Sequence, residues 1–270
     1  MDHRINSDVY NKNGALLVSQ GTTVSADTYS RLKQLLKQGA VTFDQESKVK
    51  NHQCVFEESR KYVRKEFNKI NNQLFKRSVA LTQDVVFCAK EKPYRILIQT
   101  LSNYMESWVY SHSINVSLIS LIIADALQLE NTYKHEIALG AVLHDIGKLL
   151  IPKSILMKKG KLTDAEFVLI KQHCELGLDL IKDYHLPETI SDIVYKHHER
   201  MDGSGYPQGL QAGQIPLHCQ IVIVADVIDA ITSYRPYKKM KDIEFALSEL
   251  NKEPEKYNKE IIAIVASFVS

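Results

Sequence analysis

Charge of one sign is what this sequence most plainly lacks: 34 Lys and Arg stand against 32 Asp and Glu, a formal net charge of +2 over 270 residues. No global field therefore advertises long nucleic acid or an anionic membrane surface as a partner, although a local basic pocket stays open. Cysteine is scarce as well. Cys54, Cys88, Cys174 and Cys219 are widely spaced, with no pair at metal-finger or redox spacing, and are expected to be reduced, partly buried thiols in a cytoplasmic protein. Met1 to Asp8 has no apolar core, which excludes a signal peptide there. The most hydrophobic stretch, Ile114 to Leu129, is interrupted by Asn115, Ser117, Ser120 and Asp125 and falls short of the ~20 apolar residues of a membrane span, so a buried helix is expected. Internal repeats and low-complexity segments are absent too.

What is present is ordinary in bulk, with 44% apolar and 24% charged residues, and long enough for one large domain with or without a small accessory unit. Residues 1–45 differ from the rest. Val9-Tyr10 and Ala15 to Val18 flank Asn13-Gly14, a dipeptide that tolerates the positive φ of a tight hairpin turn. An extended Gly21 to Val24, a helix from Ser25 or Asp27 through Lys37 closed by Gly39, and a strand at Ala40 to Phe43 complete a small α+β unit. Residues 46–94 read as a helical linker. No glycine or proline occurs from Glu57 to Lys92, and Val63, Phe67, Ile70, Leu74, Leu81 and Val85 form nearly a heptad seam. An amphipathic helix lying on the main domain is the preferred reading, and a dimerising signalling helix the sharper one.

From 95 to 270 the pattern is helix after helix, so the expected fold class is mainly α. Pro93 suits a first helical position, Thr163-Asp164-Ala165-Glu166 is a capping box opening the helix expected to carry His173, and Ile221 to Ile231 is too long for a strand and suits a central helix.

Five of the ten histidines recur with two aspartates across this region: His112, the pair His144-Asp145 followed by Lys148, His173, the pair His197-His198, and Asp226. Imidazole and carboxylate hold first-row divalent metals such as iron or manganese. Seven such ligands are too many for one ion and suit two that share a bridge, with positions open for water and substrate. Taken singly each residue has a plainer explanation: a surface histidine, a chance pair, an aspartate opposite a lysine. The joint pattern carries the signal. Lys148 is placed to hold a phosphate oxygen or protonate a leaving group. Arg235 and Lys238 could reach a cleft, and planar arginine is a natural phosphate clamp.

The text around these residues resembles the HD-GYP domain, a branch of the HD phosphohydrolase superfamily. The matching segments are His112-Ser-Ile-Asn-Val116, His144-Asp-Ile-Gly-Lys148 with Ile151-Pro152, His173-Cys-Glu-Leu-Gly177, His197-His-Glu-Arg-Met-Asp-Gly-Ser-Gly-Tyr-Pro207, and Val224-Ala-Asp-Val-Ile-Asp-Ala230 with Arg235-Pro-Tyr237. They cover about 95–270 in matching order and spacing; the first 90 residues lie outside.

The resemblance implies an HD-type helical bundle and a bacterial phosphodiesterase that opens cyclic di-GMP to pGpG, with many relatives continuing to GMP and some accepting cyclic GMP-AMP. It implies two divalent ions, iron or manganese, held by His112, His144, Asp145, His173, His197, His198 and Asp226, with Asp145 bridging and a metal-activated hydroxide as nucleophile. Lys148, Arg235 and Lys238 match phosphate-contacting positions, and Tyr206 belongs to the loop beside the pocket. Where some relatives place a glutamate for a third metal, one turn before the first histidine, this chain has Trp108; only Glu106 could move in. Hydrolysis of cyclic GMP-AMP, a receptor without turnover, a homodimer, and a diguanylate cyclase contact through the Gly-Tyr-Pro loop remain open alternatives.

Overall fold

A computed structural model describes residues 3–4, 9–11, 16–19, 22–37, 41–43, 52–87, 92, 94–104, 107–233 and 240–269. The first 43 residues supply strands β1 (His3–Arg4), β2 (Val9–Asn11), β3 (Leu16–Val18), β4 (Thr23–Val24) and β5 (Val41–Phe43) around helix α1 (Ala26–Lys37). β2 is central to a three-stranded antiparallel sheet in the order β3-β2-β5, with Val9 opposite both Val18 and Phe43. The pairing of β2 with β3 is the hairpin expected around Asn13-Gly14, whose turn lies outside the described residues. β1, which the sequence did not announce because two residues are too short to show a period, pairs with β4 inside the extended stretch expected at Gly21 to Val24. Ser25 caps α1, its hydroxyl accepting from the Thr28 N–H. Val9, Val18, Val24 and Leu32 form this unit's own small core.

The glycine-free run is not one rod. It divides into α2 (His52–Glu66) and α3 (Asn72–Phe87). Arg64 donates to the Ile70 carbonyl in the turn that follows α2, and the Asn71 side chain accepts from the Gln73 N–H at the start of α3. Without glycine or proline the break has only this Asn signal, which is easily passed over. Val63, Phe67, Ile70 and Val85 are buried in the main core, and both helices lie on α5, so the seam faces inward.

α4 (Arg95–Tyr104) leads into α5 (Ser107–Ala126), the axis of the larger body. α5 packs against α2, α3, α6 (Asn131–Leu143) and α11 (Leu217–Thr232). It runs longer than expected: Trp108–Ala126 is long and apolar enough to cross a membrane by composition, yet 83% of that stretch is buried in the protein core. Most of its polar interruptions are bonded, although the Ser120 hydroxyl is buried with no hydrogen-bond partner. Ser117, for example, donates to the Ala138 carbonyl of α6.

The remaining elements are α7 (Lys153–Leu156), α8 (Asp164–Lys171), α9 (His173–Ile181), α10 (Glu188–Lys196), α12 (Ile243–Lys252) and α13 (Lys259–Ser267). The capping box is formed, Thr163 and Glu166 each bonding the other's backbone N–H. His173, however, is not on the helix it opens. α8 stops at Lys171, and His173 starts α9. The His173 ring binds the Ile170 carbonyl at 2.6 Å, the acceptor a continuous helix would offer to the Cys174 N–H. Ile221 to Ile231 is helical, as expected, inside α11.

Candidate metal centre

Five elements converge on the site. α5 carries His112, the end of α6 carries His144, α9 opens on His173, the end of α10 carries His197-His198, and α11 carries Asp226. Asp145 follows His144 and leads into a 3-10 turn, Ile146–Leu150. That turn replaces the helical continuation, so Lys148 meets Asp145, Nζ to Oδ2 2.5 Å, rather than standing above His144. Gly147 lets the turn touch α9: a Cβ there would lie 1.9 Å from the His173 carbonyl oxygen and 2.5 Å from the Gly177 nitrogen, both backbone.

The seven residues expected to act together are brought together. They form two groups whose ligand atoms lie within 4.8 Å of one another, Asp145 with His173, His197 and His198, and His112 with His144 and Asp226. Asp145 sits between them. Its Oδ1 faces His173 Nε2 at 3.4 Å and His197 Nε2 at 3.6 Å, while its Oδ2 faces His144 Nε2 at 3.4 Å and His112 Nε2 at 3.8 Å. Asp226 Oδ1 is 3.1 Å from His112 Nε2 and 4.0 Å from His144 Nε2.

The outer nitrogens settle which way the imidazoles are presented. His144 Nδ1 is 2.7 Å from the Ala141 carbonyl, His173 Nδ1 2.6 Å from that of Ile170, and His197 Nδ1 3.1 Å from those of Ile193 and Val194. A carbonyl only accepts, so each Nδ1 bears the proton and each Nε2 turns its lone pair inward. His112 Nδ1 is held 2.6 Å from Asp229 Oδ2. Asp229 is fully buried and also accepts from Asn115 Nδ2 at 2.8 Å and Ser233 Oγ at 2.9 Å. As a positioning carboxylate it went unnamed in the sequence reading. Its one signal was its place a single turn after Asp226 on an apolar helix.

Electrostatics suit a cation. Burial pushes the His173 imidazole down to about 3, with the Lys148 ammonium adding to the effect. Burial likewise lowers His197, and His198 lies well below the usual histidine range. Burial alone would raise the Asp145 carboxyl, but Lys148 and His144 outweigh it and hold it well below the carboxylate range. At Asp226, His112 and His144 do the same against burial. His173, His197 and His198 thus stand as neutral imidazoles beside the ionised Asp145 and Asp226, the protonation state metal ligands require. His173 Nε2 and His197 Nε2 stand 3.1 Å apart with lone pairs facing, and His144 Nε2 and Asp145 Oδ1 are buried with no hydrogen-bond partner. Such a set is frustrated by itself and satisfied by divalent ions; the donors fit.

Beside the ligands, Tyr206 stacks on the His198 ring, and its N–H donates to the His198 carbonyl at 3.1 Å. Gly205 makes this approach feasible, since a Cβ would meet the Arg200 nitrogen at 2.3 Å. The buried Glu199 carboxylate accepts from the Gln208 N–H at 2.7 Å and the Leu210 N–H at 2.9 Å, tying the loop to the residue after His198. Trp108, in the third-metal position, is half-buried one turn before His112. Arg235, Lys238 and Glu106 lie outside the described residues.

A family model described as HD domain matches residues 95–261. The chain is 40% identical over 156 residues to a cyclic di-GMP phosphodiesterase of Thermotoga maritima, an alignment covering 57% of this chain and 42% of that protein. It is 34% identical over 143 residues to 3'3'-cGAMP-specific phosphodiesterase 1 of Vibrio cholerae, covering 53% of this chain and 33% of that one. The match thus spans less than half the length of either relative. A solved HDG"Y"P protein, Bd1817 of Bdellovibrio bacteriovorus, shares the fold with a TM-score of 0.54 at 17% identity, over 98% of this chain and 94% of that chain.

Proposed function

Because the chain belongs to the HD-domain family, we propose that it is a metal-dependent phosphodiesterase opening cyclic di-GMP to pGpG. One observation carries the reading: the two oxygens of Asp145 are divided between two groups of inward-facing imidazoles, the arrangement a bridging carboxylate needs. In this reading Asp145, His173, His197 and His198 hold one divalent ion, iron or manganese, and His112, His144, Asp226 and the shared Asp145 hold a second. Bound there, the ions would supply Lewis-acid charge and a water of lowered pKa for hydrolysis of the phosphodiester.

The chain's own groups do the rest. Lys148, 21% exposed and beside Asp145, releases part of that pairing to bind a non-bridging phosphoryl oxygen, where its charge opposes the charge that develops in the transition state. The Nδ1–H bonds of His144, His173 and His197 to backbone carbonyls fix ring orientation before substrate arrives, so little reorganisation is needed. Tyr206 closes one side of the pocket over His198. Arg235 and Lys238 complete the phosphate contacts in this proposal. The proposal further includes a cytoplasmic location, a homodimer, a cyclase contact through the Gly-Tyr-Pro loop at 205–207, and the division into an accessory unit at 1–45, a linker at 46–94 and a catalytic region at 95–270. Hydrolysis of 3′3′-cGAMP is a second reading, favoured by the 34% identity with the Vibrio cholerae enzyme.

The test is anaerobic incubation of protein loaded with Fe(II) or Mn(II) with each cyclic dinucleotide, resolving pGpG and GMP by chromatography. Product that disappears in Asp145→Ala, together with bound metal, is the expected result. Intact nucleotide with metal bound, or full activity in Asp145→Ala, overturns the reading.

A further inference from the structure

The His198 ring begins a line of side chains that leads away from the metal ligands. Tyr206 stacks on it with ring centroids 4.7 Å apart and planes 29° from parallel, and Phe167 of α8 stands 6.5 Å beyond Tyr206 at 79°. One cation serves both outer rings: Lys171 Nζ is 5.0 Å from the Tyr206 centroid and 4.8 Å from that of Phe167. Phe167 is nonetheless 45% exposed, a large ring left open to solvent beside a polar site. It is also rigidly presented. The capping box at Thr163 fixes the start of α8, and Lys158 grips both oxygens of Glu166 at 2.8 and 2.6 Å, one residue before Phe167. A half-exposed aromatic side chain held on a pinned helix, with an ammonium over its ring, has the makings of a nucleobase platform.

The chemistry of the edge narrows the base. Guanine turns two acceptors, O6 and N7, toward a donor, whereas adenine puts an amino donor where guanine has O6. Lysine has three donors and no acceptor, so Lys171 favours guanine. We propose that Phe167 and Lys171 form the guanine-recognition platform of this site, the base lying on the Phe167 ring with Lys171 donating to O6 and N7. This rests on the cyclic-dinucleotide reading above. The platform lies two ring spacings, 4.7 and 6.5 Å, from the proposed ligand His198.

The test is steady-state hydrolysis of cyclic di-GMP and cyclic di-AMP by the metal-loaded full chain, comparing wild type with Phe167→Ala, Phe167→Trp and Lys171→Met. Phe167→Ala is expected to raise KM for cyclic di-GMP on the order of tenfold with kcat changed less than about threefold, as loss of base stacking should. Phe167→Trp restores KM, which a merely structural role would not produce. Lys171→Met narrows the preference for cyclic di-GMP over cyclic di-AMP. An unchanged KM in Phe167→Ala, a fall confined to kcat, or no rescue by tryptophan overturns the platform and leaves the proposed function standing. Wild-type protein that cleaves a generic aryl phosphodiester but no cyclic dinucleotide overturns the function itself, and the platform with it.

Discussion

Replacing Asp229 by asparagine isolates one buried carboxylate that touches no proposed metal position. Three donors converge on it, the His112 Nδ1–H, the Asn115 amide and the Ser233 hydroxyl, at 2.6, 2.8 and 2.9 Å. A carboxylate satisfies all three because both its oxygens accept. An amide has one oxygen, so Asp229→Asn turns an NH2 toward at least one donor, and a buried donor left unpaired costs about 1–3 kcal/mol. If the NH2 faces His112, the ring is driven to the other tautomer, its Nε2 gains the proton and ceases to be a ligand. Loss of such a supporting partner typically lowers metal affinity about 10- to 100-fold, or about 1.4–2.8 kcal/mol. Chelator competition with Mn(II) reads this directly, alongside thermal unfolding of the metal-free protein. The expected result is one ion weakened by at least tenfold with the other retained, since His112 belongs to only one group. Affinity within twofold of wild type for both ions would refute the assignment of Asp229 as the residue that orients His112.

Three further outcomes follow from the same geometry. Lys148→Met should keep both metals while lowering kcat about 100-fold, because the side chain stabilises phosphoryl charge without being a ligand; metal analysis and initial rates separate the two effects. Gly147→Ala should destabilise the chain by about 2 kcal/mol, lowering Tm by several degrees, since its Cβ meets backbone of α9 that cannot yield; differential scanning calorimetry measures it. For pH, the lowered histidines bind protons more readily unfolded than folded, so the metal-free chain loses stability as pH falls below about 6.5, on the order of 1 kcal/mol per unit for each fully differing histidine. Thermal unfolding in EDTA at pH 7.5 and 5.5 checks the sign; equal Tm values would contradict it.

Much of the site could be read from the chain because metal ligands are few in kind and their order is retained in the motifs. All seven expected ligands come together, although they span 112 to 226 in sequence. Supporting contacts were harder to see. Asp229 serves His112 from 117 residues away, and carbonyl acceptors such as those of Ala141 and Ile170 have no side-chain signature at all. Helix limits failed where a side chain competes with the backbone, at His173 taking the Ile170 carbonyl and at Asn71 opening α3. The small amino-terminal hairpin was legible through Asn13-Gly14 and the apolar residues on either side of it, whereas β1 depends wholly on its partner strand.

The grip of Glu199 on the Gln208 and Leu210 amides has a consequence for how this segment can vary. Surface loops commonly absorb insertions, but residues 199–210 form a ring closed through a buried acid. Lengthening that ring by even one residue would shift a donor out of register and strand the carboxylate without water. The constraint on length extends to Ala212, whose N–H bonds the Met201 carbonyl, while side chains in the stretch are free to change where they point away from Glu199.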